Sequence, residues 1–201
     1  MPEPLPVSFY DAKPAEAARK LLGQMLVCEL EGARVSGIIL ETEAYDGEAD
    51  GACHARSGKT KRNAPLYGEP GYSYIYFTYG MHWLTNAVVC PAGYPAGVLF
   101  RAVLPKEGLG LIQERRGTQP RRLWCNGPAK LSQAFGITGE LNGTALYDPG
   151  SPLRIETGIS VPDTAVKTGP RIGIDYAPEP WRSMPWRFWV TENDFLAQSE
   201  N

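Results

Sequence analysis

Glycine and proline interrupt this chain too often for long helices to survive. The sequence holds 22 glycines and 18 prolines in 201 residues. Inside a helix a glycine costs about 1 kcal/mol and a proline about 3 kcal/mol relative to alanine. Such a chain folds through short elements joined by turns, which favours a strand-rich α+β architecture. Hydrophobic residues make up 43% and charged residues 21%, ordinary values for a globular protein. The length is enough for one sizeable core, so a single domain over residues 1–201 is expected.

The local patterns agree. PAEAARKLLGQ opens with Pro14 and has apolar residues at helical spacing, which predicts a helix. MLVCELEGARVSGIILETEAY predicts two strands joined at Glu31-Gly32. Asp46 to Pro70 is polar, basic and punctuated by Gly and Pro, a long loop of the kind that often carries function. Tyr72–Thr78 and Trp83–Cys90 predict a hairpin turning at Tyr79-Gly80, and Gly97–Leu104 a further strand. EGLGLIQERR and GPAKLSQAFGI predict short helices. LRIET, PRIGIDY and RFWVTE predict later strands.

Several function classes drop out. Four cysteines without a C-x-x-C pair, and only two histidines, argue against a zinc site. No basic start followed by an apolar run opens the chain, so a cytoplasmic protein is expected, not a secreted one. The longest stretch free of Asp, Glu, Lys and Arg, Pro70 to Phe100, is broken by Gly and Pro and does not read as a membrane span. The net charge is −2, yet basic residues cluster in HARSGKTKRN (54–63) and RRGTQPRR (115–122). Such runs are either solvated loops or anion-steering surfaces.

Strand alternation then places chemistry on faces. Glu41, Glu43 and Tyr45 share one face, and Leu40, Thr42 and Ala44 the other. Either the first face meets water, or a carboxylate enters an apolar environment that raises its pKa toward that of a general base. Tyr72, Tyr74 and Tyr76 share a face as a packed aromatic stripe or as a pocket wall. Tyr79 sits at a turn with little to pack against, and an exposed ring beside a basic loop suits stacking on or wedging between bases. Arg101 lies in the apolar run VLFRAVL and needs a partner or a ligand. Together these residues suit a pocket for a flat, electron-poor or cationic ring, with a carboxylate to activate water.

Six blocks in order make the pattern specific: ETEAY (41–45), HARSGKTKRN (54–63), PGYSYIYFTYGMHWLTN (70–86), GVLFRAVLP (97–105), GPAKL (127–131) and GPRIGI (169–174). Over about Leu21 to Val190 the chain resembles the alkyladenine DNA glycosylases, also called 3-methyladenine or alkylpurine DNA glycosylases. The resemblance implies a single mixed α+β domain with a curved, mainly antiparallel sheet flanked by short helices. It implies base flipping from double-stranded DNA and hydrolysis of the N-glycosidic bond of damaged purines, leaving an abasic site. In that reading Glu43 is the general base, and Arg101 lies near the flipped nucleotide and the attacking water. Tyr45, His54 and Tyr76 sandwich and orient the flipped base. Asn86 screens purines with a 2-amino group, and Tyr79 fills the gap in the base stack. Arg56, Lys59, Lys61 and Arg62 of the basic loop contact DNA. Neither a metal nor an organic cofactor is implied, nor a Schiff base on Lys59 or Lys61. A monomer is expected, at the nucleoid if the source is prokaryotic. 3-Methyladenine and 7-methylguanine are the expected lesions, with hypoxanthine and etheno-adenine open. Two rival readings stand beside this one. One is a catalytically silent damaged-DNA binder; the other is a carboxylate-based hydrolase of another N-glycoside using Glu41 with Glu43.

Overall fold

The computed structural model describes residues 3–191. Its frame is an antiparallel sheet formed by β1 (Met25–Leu30), β2 (Ala33–Asp46), β3 (Ser73–Thr78), β4 (His82–Val88), β5 (Ala96–Glu107) and β6 (Leu153–Glu156). The spatial order is β3-β4-β5-β2-β1-β6. Two short strands, β7 (Lys167–Gly169) and β8 (Arg187–Trp189), add to it, with β8 pairing on both β2 and β7. Three eight-residue helices complete this mixed α+β domain: α1 (Pro14–Leu21), α2 (Leu109–Arg116) and α3 (Pro128–Phe135).

The helices are short for reasons written in their ends. α1 starts on Pro14, whose missing N–H has no intrahelical partner at that position anyway, and it carries Glu16 first and Arg19 and Lys20 last, as the helix dipole favours. α3 also starts on a proline and stops at Gly136, which adopts a left-handed φ of 72°. Ala17, Ala18 and Leu21 of α1 and Leu131, Ala134 and Phe135 of α3 are buried in one continuous core with Val35, Ile39, Val98 and Phe100 of the sheet.

β2 is the strand that positions the site. Its first half pairs with β1 and its second half with β8, while β5 runs along its other edge. Glu43 lies opposite Leu99 on β5 and Arg187 on β8, so its backbone is locked from both sides. Thr42 points toward α1, where its hydroxyl donates to the Ala18 carbonyl at 2.8 Å. Alternation therefore sends Glu43 and Tyr45 to the opposite face, even though the β2–β5 register shifts at Glu41.

One expected strand is not a strand. PRIGIDY (170–176) forms turns, with Gly173 at a left-handed φ of 78°. Instead of joining the sheet, the segment folds over the face of β2 that carries Glu43, and the Ile172 N–H bonds that side chain. A backbone N–H spent on a carboxylate is unavailable to a ladder. The strand in RFWVTE covers only Arg187–Trp189, and Glu192 lies outside the described residues. Among the described residues, no helix is long and apolar enough to cross a membrane.

Candidate active site

The β3–β4 hairpin has two working faces. Tyr74 and Asn86 are cross-strand partners, as are Tyr76 and Leu84, and all four line a cavity of about 460 Å³. On the reverse face, Thr85 bonds Ser132 of α3 at 3.0 Å and Phe77 packs on Trp83. The reverse face thus turns to α3 and the core at Thr85 and Trp83, with Phe77 exposed toward the tip, and the aromatic front face is left for the cavity.

At the hairpin tip Tyr79 and Gly80 both have positive φ, 51° and 68°, and the Met81 N–H donates to the Thr78 carbonyl. This is the mirror-image turn that matches strand twist. Its first position is normally held by Asn, Asp or Gly, and a bulky residue there is strained. Tyr79 is also 86% exposed. A large aromatic ring is therefore held in water on a strained backbone.

The cavity is walled by Tyr45, His54, Tyr74, Tyr76, Asn86 and Leu99, with Arg56, Arg62 and Tyr79 toward the basic loop and hairpin tip. His54 and Tyr76 rings meet edge to face at 4.4 Å, and His54 Nδ1 is 2.9 Å from the Tyr74 hydroxyl. Burial, reinforced by Arg62 and Arg56, lowers the His54 pKa to about 4, so the ring is neutral at pH 7. Burial pushes the Tyr74 hydroxyl up to about 12, so it too stays protonated. Asn86 donates from Nδ2 to the Tyr74 carbonyl at 2.9 Å, which fixes which end of its amide turns from the strand.

Glu43 stands immediately behind this wall and has no exposed surface. Its Oε2 accepts from the Tyr45 hydroxyl at 2.9 Å and from Arg101 at 3.2 Å; its Oε1 accepts from the Ile172 N–H at 2.7 Å. Burial raises the Glu43 pKa, and Arg101, Ile172 and Tyr45 oppose it. Desolvation wins even though an arginine lies within ion-pair distance. Arg101 is shared, donating from Nε to Glu41 at 3.1 Å. Glu41 also accepts from Arg187. One guanidinium bridges both carboxylates, which argues against the Glu41–Glu43 hydrolase reading, in which the pair would flank a glycosidic bond.

The structure thus brings Tyr45, His54, Arg56, Arg62, Tyr76, Tyr79, Asn86 and Arg101 around one cavity, with Glu43 one hydrogen bond behind it. Arg62 sits 5.4 Å above the Tyr76 ring, and Arg56 5.0 Å above Tyr176. Lys59 and Lys61 are exposed and do not line the cavity; Lys59 lies 5.2 Å over Tyr67. The second basic run divides. Arg115 donates to the Ala134 carbonyl and Arg116 to Gln133, so both tie α2 to α3, while Arg121 and Arg122 are exposed. Sequence reasoning missed Tyr74 as the partner of His54, and missed Ile172, Gly173 and Tyr176 as cavity residues. The signal for Ile172 and Gly173 was present in the GPRIGI block, whose glycine spacing fits a turn as well as a strand.

Comparison with known proteins adds an independent observation. A family model described as methylpurine-DNA glycosylase (MPG) matches residues 8–194. A protein of Chlorobaculum parvum named "Putative 3-methyladenine DNA glycosylase" is 45% identical over 194 residues, covering 96% of this chain and 90% of the relative. Proteins with the same printed name from Bacillus subtilis and Chlamydia abortus are 43% and 46% identical. The first covers 97% of both chains; the second covers 92% of this chain and 96% of the relative.

Proposed function

This chain belongs to the methylpurine-DNA glycosylase family, and from that premise we propose that it flips a methylated purine nucleotide into the aromatic cavity and hydrolyses its N-glycosidic bond with Glu43 as general base. The protein is a DNA glycosylase, a hydrolase of N-glycosyl bonds. The observation that carries the mechanistic reading is a solvent-excluded carboxylate of raised pKa directly behind a cavity walled by Tyr45, His54, Tyr74 and Tyr76.

The chemistry follows from those groups. Water attacks C1′ of the deoxyribose, Glu43 takes its proton, and the glycosidic electron pair leaves with the purine. A 3-methyladenine or 7-methylguanine carries positive charge before cleavage and leaves neutral, so it needs no acid. Aromatic faces favour a cationic ring by about 0.5–2 kcal/mol over a neutral one. Hypoxanthine and etheno-adenine must be protonated as they leave, and His54, neutral at pH 7, is a poor donor. Methylated purines are therefore the favoured substrates and the neutral lesions slow ones. Asn86 faces the purine edge and disfavours a 2-amino group, so 7-methylguanine, which carries one, is excised on the strength of its positive charge and less readily than 3-methyladenine.

Three donors hold the carboxylate, and the residues that supply them, Tyr45, Arg101 and Ile172, also line the cavity from which water must reach it. Arg101 stays to hold the carboxylate and the attacking water together. Tyr79 occupies the space the purine leaves, which accounts for a ring kept exposed on a strained turn. Arg56, Lys59, Lys61 and Arg62 track the phosphates, and a monomer suffices because one chain supplies every group.

A labelled duplex carrying one 7-methylguanine, or one hypoxanthine, tests the reading. After incubation and hot alkali, the wild type yields a cut at the lesion. Glu43→Gln lowers the rate about 10²–10⁴-fold while lesion binding survives. Lesion binding without any wild-type cut supports the silent binder instead. A cut before alkali would indicate a lysine nucleophile.

A further inference from the structure

Arg171 and Asp50 form an ion pair with no exposed side-chain surface on either partner, and neither residue touches the cavity. Arg171 donates to Asp50 Oδ2 at 2.5 Å and Oδ1 at 2.9 Å, a bidentate arrangement. Asp50 also accepts from the Ala52 N–H at 2.9 Å and the Asp46 N–H at 3.2 Å. The guanidinium lies between two aromatic rings, 4.7 Å from Tyr45 and 5.1 Å from Trp186. Its remaining donations run to main chain: to Ala44 at 2.9 Å and Trp181 at 3.1 Å.

The two ends of this network are what matter. Ala44 is the residue after Glu43 on β2, and Ile172 is the residue after Arg171. Arg171 therefore staples the turn segment to β2 at one position, and the next N–H along the segment falls on Glu43 Oε1 at 2.7 Å. The segment has no ladder of its own between β7 and β8; Arg187 holds it at the Pro170 carbonyl and buried Ile174 holds its far end, so Arg171 is the anchor directly beside Ile172. Ile172 itself is 51% exposed, so its side chain cannot anchor it.

We propose that the Asp50–Arg171 pair is a positioning unit for excision, holding the 170–173 segment so that the Ile172 N–H stays on Glu43 and keeps the carboxylate ionised and aimed. This inference rests on the reading of Glu43 as the base. A stability role alone does not require the staple to end on the residue beside Glu43. The Ile172 N–H opposes the burial that raises the Glu43 pKa. The other charged and titratable groups around the carboxylate are Arg101 from β5, and Glu41 and Tyr45 from its own strand. Tyr76 of β3 and Arg187 of β8 lie next to these. Losing the staple removes one hydrogen bond to the charged form and, of those groups, directly touches Tyr45 alone, whose ring loses the Arg171 guanidinium.

The test uses Asp50→Leu/Arg171→Met, since removing both partners together leaves no uncompensated buried charge. Single-turnover excision of 7-methylguanine is measured from pH 5.5 to 9 beside Tm. The expected result is a folded variant of lowered Tm, since the Asp46 and Ala52 N–H groups and the Ala44 and Trp181 carbonyls lose a partner, with the acid limb moved to higher pH. The wild-type to variant rate ratio is then larger at the acid end of that range than at pH 8.5, and approaches about tenfold only once the pH lies below the pKa in both proteins, as expected when a carboxylate loses one charge-assisted donor. A folded double variant with the wild-type pH profile would overturn the proposal. If the double variant fails to fold, Arg171→Lys, which keeps the charge but loses the fork, is judged by the same profile. Glu43→Gln is run alongside: if it excises as well as wild type, the general-base reading fails, and not merely the positioning of the base.

Discussion

Tyr79→Asn separates stability from function at one residue. Tyr79 has a φ of 51° and is 86% exposed. A left-handed backbone costs a non-glycine residue roughly 1–2 kcal/mol, and Asn is among the few residues that tolerate it. Removing a ring that buries almost nothing forfeits little packing. The substitution should therefore stabilise the protein by about 0.5–1 kcal/mol, which in a chain of 150–250 residues raises Tm by roughly 1–4 °C. Function should move the other way. A ring stacked on bases contributes about 1–3 kcal/mol, so its loss should slow single-turnover excision at subsaturating enzyme by roughly 5–150-fold. Tyr79→Ala is the control: it loses the same ring but keeps a side chain ill suited to the turn, so it should lose activity without the gain in Tm. The assay is a thermal melt beside excision of 7-methylguanine from a labelled duplex. A lower Tm for Tyr79→Asn would refute the strain argument. Unchanged excision by both variants would refute the wedge.

Other expectations follow from the same geometry. The His54 pKa lies near 4, below its ordinary value of 6.5, so between those values the unfolded chain binds more protons. Stability should thus be full above pH 6.5 and fall by up to about 3 kcal/mol as pH drops toward 4. His54→Gln should flatten that part of the curve in urea melts, and an unaltered slope would place the acid sensitivity elsewhere. Glu41→Gln leaves Glu43 bonded to Arg101, Tyr45 and Ile172, so it should slow excision much less than Glu43→Gln; equal losses in a rate assay would mean the two carboxylates act as a pair. Lys61→Ala should weaken binding to damaged and undamaged duplex alike and reduce the log–log salt slope by about 0.9. Arg115→Ala should instead lower Tm with little change in that slope, because Arg115 is bonded to the Ala134 carbonyl.

Much of the site was legible because it is local. Period-two alternation along β2 places Glu43 and Tyr45 on one face without knowledge of the fold, and the same rule puts Tyr74 with Tyr76. Gly80 after Tyr79 marks the hairpin tip, and the clustered charges of 54–63 mark the basic loop. The reading of 170–176 as a strand went wrong because apolar residues at Ile172 and Ile174 alternate as they would in a ladder. Alternation cannot say whether a partner strand exists. Here the segment's Ile172 N–H meets a side chain, and Gly173 turns the chain.

The sequence by itself determined the class of fold, the order of its elements, the residues offered to each face and a resemblance that narrows the chemistry. Those properties rest on covalent spacing and backbone sterics, which act over a few residues. Only the tertiary structure decided which charges meet. Glu43 finds Arg101 58 residues away and the Ile172 N–H 129 residues away. Asp50 finds Arg171 across 121 residues. Whether a carboxylate is solvated or buried, and whether an arginine binds DNA or ties one segment to another, depends on the dielectric and the partners around it. Those are set when distant segments close over the same face of β2, and no local pattern records them.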